Sequence, residues 1–282
     1  MKCSLCGSDK IKMRFERVRD RSDIQVLECE RCTLVFLSSF EHISDEFYEE
    51  SGMMNGKVYI KNYRQQSIVD DRRRFNDLKN KIIGKKVLDF GCGAGGFLHL
   101  GNELCEVIHG VELDKALNKI INEEGIKCYS NIDEIEEKYD IITLFHVVEH
   151  LVDPIETLGK LKKHLKPNGI LLIEVPNADD ALLTLFNNEA FANFTYWSCH
   201  LYLYNEFTLK SLLKNAGYSV KAVKQIQRYP LSNHLYWLSK GMPGGHNHFG
   251  ILDNPLLRQS YESSLAALGK CDTIIGEFQV VD

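Results

Sequence analysis

No uncharged apolar run in these 282 residues approaches the roughly 20 that a bilayer-spanning helix needs; the longest lies around Ile170 to Ile173, so no membrane segment is expected. The opening MKCSLCGSDK has no apolar core of the kind a secretory leader carries, and a cytoplasmic location is expected. An excess of basic charge is also missing. With 34 Lys and Arg against 39 Asp and Glu the formal charge is −5, which argues against nucleic acid as the main partner. Nine cysteines at irregular spacing do not read as a disulfide framework in a reducing compartment. A hydrophobic content of 44% excludes wholesale disorder, and the length fits one large domain or one ordinary domain with a small module.

Four of the cysteines stand apart. Cys3 and Cys6 form one CxxC and Cys29 and Cys32 another, and each pair can turn two thiolates toward one point. Together they predict a closed, tetrahedral, structural zinc site with no open position for catalysis. Between them, MRFERVRD and IQVLECER flank a polar turn at Asp20 to Asp23 like the strands of a short hairpin. Residues 1–40 are too few for a self-sufficient core, so the metal's binding energy would be folding energy. The other five, Cys92, Cys105, Cys128, Cys199 and Cys271, are scattered and read mostly as buried small apolar residues.

From Lys85 onward, short β-branched runs alternate with amphipathic stretches, the pattern of an α/β domain with helices on both faces of a parallel sheet. Strands are expected at KVLDFG, VIHGVEL, IKCYS, YDIITLF and GILLIEV. A helix is expected after the cap Asp153, with Pro154 in its first turn, Ile155, Leu158, Leu161 and Leu165 on one face, and Asn168-Gly169 at its end. The first strand runs into VLDFGCGAGG, where Gly91, Gly93, Gly95 and Gly96 permit a tight turn and close approach to a ligand. Gly91, Gly93 and Gly96 also satisfy GxGxxG, so the glycines alone do not exclude a dinucleotide. Asp89 discriminates: a carboxylate there would repel a pyrophosphate but suits the ammonium of S-adenosylmethionine. Glu112, at the end of the second strand, can hold both hydroxyls of a ribose.

Taken together, VLDFGCGAG, GVE, YDIITLFHVVEHLVDP and LKPNGILLIEVPN resemble the class I S-adenosylmethionine-dependent methyltransferases over Lys86 to about Tyr218. The resemblance implies an α/β fold with a seven-stranded Rossmann-like methyltransferase sheet of order 3-2-1-4-5-7-6, its last strand antiparallel, beside a small N-terminal zinc-ribbon-like module. YSVKAVKQIQ and TIIGEFQVV would supply strands six and seven. It further implies S-adenosylmethionine as cofactor, with Asp89, Gly91, Cys92 and Gly93 at its methionine part, Glu112 at the ribose, and Leu113, Asn131 and His146 completing the site, Asn131 in the adenine region. The four-cysteine knuckle, HVVEHL and the segment RYPLSNHLYWL to GGHNH are similar to a branch acting in sugar and surface-polysaccharide biosynthesis. That implies O-methylation of a small nucleotide-linked or phosphorylated sugar-type acceptor.

Ligands of open α/β sheets bind beyond the carboxyl ends of the strands, which directs attention to His146, Glu149 and His150 after strand four and to His200 in FANFTYWSCHLYLY as catalytic groups. A histidine titrating near neutrality can accept the acceptor hydroxyl's proton. His146-x-x-Glu149-His150 also matches HxxEH of inverted zinc peptidases, but no obvious third ligand follows and the motif sits in step with the methyltransferase elements. Asn177, after strand five, is an expected substrate contact. Residues 228–270 are too long for a hairpin turn and are read as a substrate lid carrying Tyr229, Asn233, His234 and His246, or else as a helical hairpin bracing the sheet edge or a dimer. Residues 41–84 form a helical linker or cap, leaving 85–282 as the catalytic domain. Within 41–84, Tyr48, Tyr59 and Tyr63 are expected toward the acceptor and Arg72, Arg73 and Arg74 toward a phosphate or solvent. An RNA-base methyltransferase gripping nucleic acid with its knuckle is the alternative.

Overall fold

The computed structural model describes residues 2–50 and 60–281; Tyr59 lies outside them. Its eleven described strands form two sheets. A four-stranded sheet takes β1 (Ile11–Phe15), β2 (Val26–Cys29) and β3 (Val35–Leu37) from the N-terminus and β9 (Tyr202–Leu203) from far along the chain. The seven-stranded sheet contains β4 (Lys86–Phe90), β5 (Val107–Val111), β6 (Cys128–Tyr129), β7 (Tyr139–Phe145), β8 (Leu165–Pro176), β10 (Tyr218–Ile226) and β11 (Thr273–Val280). Its spatial order is β10-β11-β8-β7-β4-β5-β6, and β11 runs antiparallel to both neighbours. This is the expected 3-2-1-4-5-7-6 arrangement with the expected segments as strands six and seven.

Burial on both faces explains the Val, Ile and Leu runs. Leu88, Ile142, Leu144, Leu171 and Ile173 join one apolar cluster, while Val87, Ile108, Ile141 and Leu172 join another. The helix Pro154–Leu161 starts as anticipated, with the Asp153 carboxylate accepting from the Glu156 N–H. Its end differs. The helix stops at Leu161, and β8 begins at Leu165 with an irregular stretch in which Asn168 takes φ of 63° before pairing resumes at Ile170. Leu165 therefore packs as a strand residue opposite Tyr139. Local lysines and an Asn-Gly pair resemble a helix terminus, but pairing with β7 outweighs them.

The N-terminal hairpin forms around a tip where Val18 and Arg21 bridge. The four thiols converge: Cys3 and Cys32 Sγ are 3.5 Å apart, Cys6 and Cys29 Sγ 3.6 Å, and one sulfur from each lies within 4.8 Å of the rest. Zinc–sulfur bonds of about 2.3 Å put tetrahedral sulfurs about 3.8 Å apart, so the donor set fits a metal ion. Burial opposes ionisation of Cys29, but N–H groups of Cys32 and Arg31 outweigh it and lower its pKa to about 7, whereas burial raises Cys3 and Cys32. The module is not a separate bead. Val35 and Phe36 pair with Leu203 and Tyr202, and Arg14 reaches Tyr196 Oη at 2.9 Å and the Ala178 carbonyl.

The helix Ile60–Ile82 is locked onto the sheet by charge. Glu174 on β8 is fully buried and accepts from Arg73 Nη2 at 2.8 and 2.9 Å and from Arg74 Nη2 at 2.8 Å and Nε at 3.1 Å. Arg74 also lies over the Phe145 ring, 4.7 Å from its centroid. These arginines are thus consumed by a carboxylate, and of the three proposed for a phosphate only Arg72 is exposed. Removing the anion leaves buried Arg74 with only Asp71 and half-buried Arg73 with only Asp70 and Asp77, so Glu174→Gln is expected to cost about 3 kcal/mol in urea unfolding; an unchanged midpoint would show that the cluster is not structural.

Candidate active site

The turn after β4 depends on three left-handed glycines, Gly91 (φ 75°), Gly93 (φ 54°) and Gly95 (φ 73°), before the helix Gly96–Gly101 begins. Space enforces the same choice. A Cβ on Gly91 would lie 2.5 Å from Val147 Cγ2, and one on Gly93 would lie 3.0 Å from Tyr63 Oη. Tyr63, expected near the acceptor, instead covers the glycine turn.

Two carboxylates flank this turn. Asp89 is buried and accepts from Thr143 Oγ1 at 2.6 Å, and burial raises its pKa to about 7. Glu112 accepts from the Gly93 N–H at 2.8 Å and the Asp114 N–H at 2.9 Å, and burial again lifts its pKa to about 7. The cleft is therefore walled by acids that ionise more readily once a cation or donor faces them. Cys92 contributes backbone only, since its Sγ turns behind the turn to lie 3.8 Å from Cys128 Sγ. Leu113 is 43% exposed, leaving an apolar side chain free at the cleft edge, and Asn131, also exposed, caps the short turn Ile132–Glu134 by accepting from the Asp133 N–H.

Beyond β7, His146 adopts φ of 57°, a left-handed conformation held from every side. Its Nδ1 lies 3.0 Å from Glu149 Oε1, and its Nε2 lies 2.5 Å from Arg228 Nη1 and 3.2 Å from Glu174 Oε1. Both nitrogens are engaged, so His146 is a strut between two buried carboxylates and is not free to act as a base. Glu149 is fully buried, with Oε2 unpartnered. His150 Nδ1 faces the Cys199 carbonyl at 2.7 Å, leaving Nε2 available. His200 packs against it with ring centroids 5.0 Å apart, flanked by Trp197 at 5.4 Å, and burial followed by the neighbouring His150 drops its pKa to about 3. Tyr48 is also here, donating to the His150 carbonyl. His146, Glu149, His150 and His200 are thus brought together, as Ser198 to Tyr204 fold back beside the motif after β7.

Other expected contacts are placed elsewhere. Asn177 is buried and spent as a staple: its Nδ2 donates to the carbonyls of Gly269 and Cys271, and its Oδ1 accepts from the Asp179 N–H. In the insertion, the helices Leu231–Lys240, His246–Phe249 and Pro255–Ala267 follow β10. His234 is buried there between Tyr261 Oη (2.6 Å) and Gln227 Nε2 (3.1 Å), with burial lowering its pKa to about 4. Asn233 Oδ1 accepts from the Gly244 N–H, and His246 is exposed. Asn177, Asn233 and His234 therefore serve the scaffold. Their polarity drew attention, but the groups they satisfy are main-chain atoms and, for His234, the side chains of Tyr261 and Gln227, partners that a string of letters does not show. Tyr229, 49% exposed, remains at the rim, its hydroxyl accepting from Arg228. Arg228 was missed as a site residue, and so was the pairing of Arg74 with Glu174; no local spacing marks a cluster assembled from three distant segments.

His234→Ala is expected to lower the melting temperature by several degrees by stranding Tyr261 and Gln227 while leaving nucleoside affinity unchanged. A variant of native stability but weakened ligand binding would return His234 to the cleft wall.

Comparison with known proteins agrees with this geometry. The family model described as a methyltransferase domain matches residues 60–223. The chain is similar to a ubiquinone biosynthesis O-methyltransferase of Haemophilus ducreyi, 25% identical over 159 residues covering 50% of this chain and 63% of that protein. The Hydrogenovibrio crunogenus protein of the same description is 25% identical over 213 residues, covering 69% and 84%. The chain spans 49 to 64% of the length of the first three curated relatives it matches. Among solved structures, a SAM-dependent methyltransferase from Archaeoglobus fulgidus aligns with a TM-score of 0.54 at 20% identity, over 79% of this chain and 100% of that one. A possible histamine N-methyltransferase from Thermotoga maritima gives 0.52 at 15%, over 85% and 99%. These likenesses show the fold, and with the family match covering more than half of the sequence, the chain belongs to the methyltransferase domain family, with the class I S-adenosylmethionine-dependent fold.

Proposed function

We propose that this protein transfers the methyl group of S-adenosylmethionine to an oxygen of a small, sugar-type acceptor that serves as a precursor of a surface polysaccharide. The observation that carries the methyl-transfer reading is the paired carboxylates at the glycine turn: Asp89 and Glu112 flank Gly91 and Gly93, and Glu112 is bonded directly to the Gly93 N–H. An ammonium gains from Asp89 and a ribose diol from Glu112, whereas a pyrophosphate would meet two like charges. S-adenosylmethionine, when bound, supplies a methyl on a positively charged sulfur. The chain's part is to orient the acceptor in line with it and to exclude water.

Support for a neutral, hydroxyl-rich acceptor comes from the aromatic and imidazole cluster beside the motif after β7, where Tyr48, Trp197, His150 and His200 pack edge to face and carry no fixed cation. A nucleotide-linked or phosphorylated acceptor has less support, because Arg73 and Arg74 are paired with Glu174 and Arg228 is shared between His146 and Asp70. We assign the four-cysteine cluster a structural zinc ion, held by Cys3, Cys6, Cys29 and Cys32. The deep seating of the module's third strand against β9 supports a bracing role over the nucleic-acid grip of an RNA-base enzyme.

The test is incubation with S-adenosylmethionine and a panel of nucleotide sugars, free sugars and phenols, followed by mass analysis for gain of one methyl group. Methylation confined to an RNA oligonucleotide would overturn the reading. Because both carboxylates have pKa values raised to about 7 and must ionise to hold the ligand, affinity for S-adenosylhomocysteine should be about seventyfold weaker at pH 6 than at pH 7.5, about eightfold from each group. Calorimetry showing no change over that interval would exclude their direct part in binding.

A further inference from the structure

We propose that Glu149, His150 and His200 form a second metal site, separate from the four cysteines, for a divalent ion of the zinc, manganese, iron or cobalt class. One ligand atom from each lies within 4.8 Å of the others. Bonds of about 2.0–2.1 Å place tetrahedral ligands about 3.4 Å apart, so side-chain adjustments of about 1 Å close the site.

Independent evidence comes from atoms lacking partners. Glu149 has no exposed surface; its Oε1 is taken by His146 Nδ1, but its Oε2 is buried with no hydrogen bond. His200 Nδ1 is also buried without a partner. Burying a polar atom without a partner is costly, and these two, a carboxylate oxygen and an imidazole nitrogen, are both of metal-ligating type. One cation would satisfy both. The supporting bonds also have the form found around metal sites. The His150 Nδ1–H donates to the Cys199 carbonyl, which fixes the tautomer and leaves the Nε2 lone pair free, and His146 orients the carboxylate of Glu149.

Two imidazoles and one carboxylate select a transition ion over magnesium or calcium, which take oxygen ligands. Three protein ligands also leave a position open. The site adjoins the donor cleft, because Val147, two residues before Glu149, is the side chain that packs on Gly91. Its catalytic role rests on the methyl-transfer reading, whereas the ligand set does not. An acceptor hydroxyl bound to the ion would release its proton to water more readily. Its oxygen would then attack the methyl carbon as the carbon–sulfur bond breaks, the electron pair remaining on sulfur, to leave a methyl ether and a neutral thioether. The sequence hid the third ligand, since His200 lies fifty residues beyond His150 and arrives only through the fold.

The experiment loads the purified full chain with cobalt(II), dialyses it, and measures metal content alongside absorption spectra. The wild type should hold about two ions per chain, with the intense near-ultraviolet thiolate band of the cysteine site and weaker visible bands of a nitrogen–oxygen site. His200→Ala should hold about one and keep only the thiolate signature; His200→Gln is the companion if alanine unsettles the packing against Trp197. One ion with only thiolate bands in the wild type, or both signatures surviving in the variants, would overturn the proposal. Calorimetry with S-adenosylhomocysteine separates the two readings. Ligand binding without a second ion would remove the metal site and leave methyl transfer, whereas a second ion without ligand binding would keep the site and remove methyl transfer.

Discussion

A fully buried carboxylate on the fifth strand of the sheet, Glu174, binds three separate parts of the site into one body. It receives Arg73 and Arg74 from the helix Ile60–Ile82 and lies 3.2 Å from Nε2 of His146, the first residue beyond the fourth strand. Burial alone would push its proton affinity up, but His146 and the arginines reverse that and hold its pKa well below the ordinary carboxylate range. The arrangement fixes positions more than it adds stability, because desolvating three charges offsets much of their attraction. Its structural effect is specific: the helix that carries Tyr63 is set over the glycine turn, and His146 is held in a left-handed backbone that aims Glu149 and His150 inward.

The chemistry of the cleft follows from that placement. Val147 and Tyr63 lie against Gly91 and Gly93, so the turn admits only glycine where the ligand must approach. Asp89 and Glu112 sit beside it with their charges partly suppressed by burial, which makes each responsive to a ligand that brings a cation or hydroxyl donors. On the far side, the segment Ser198 to Tyr204 does two jobs: His200 faces His150, and Tyr202 and Leu203 add a strand to the four-cysteine module. The four-cysteine module and the imidazole pair His150 and His200 therefore share one stretch of backbone.

Much of this was legible in the amino-acid order because it is local. Strand runs, the Asp153 cap, the left-handed glycines and the paired CxxC motifs each express a preference within a few residues, and those preferences agree with the topology found. What was illegible depends on distant partners. Asn177, Asn233 and His234 carry the side chains of a binding site, yet each is spent on main-chain or tyrosine groups from other segments. Arg73 and Arg74 read as a solvent-facing or phosphate-binding run until Glu174, a hundred residues on, supplies the counter-charge. The end of the helix after Pro154 was misplaced for a related reason: pairing between Tyr139 and Leu165 across the sheet overrides the Lys-rich and Asn-Gly signals nearby.

The central claim is that a carboxylate-flanked glycine turn binds the amino-acid end and ribose of a sulfur-linked nucleoside. It is tested most directly by parallel calorimetric titrations of the full chain with S-adenosylhomocysteine and with NAD at pH 7.5. The account requires saturable one-to-one binding of the former, lost in Asp89→Asn and Glu112→Gln, and no heat from the latter. Binding of NAD with indifference to S-adenosylhomocysteine would contradict it.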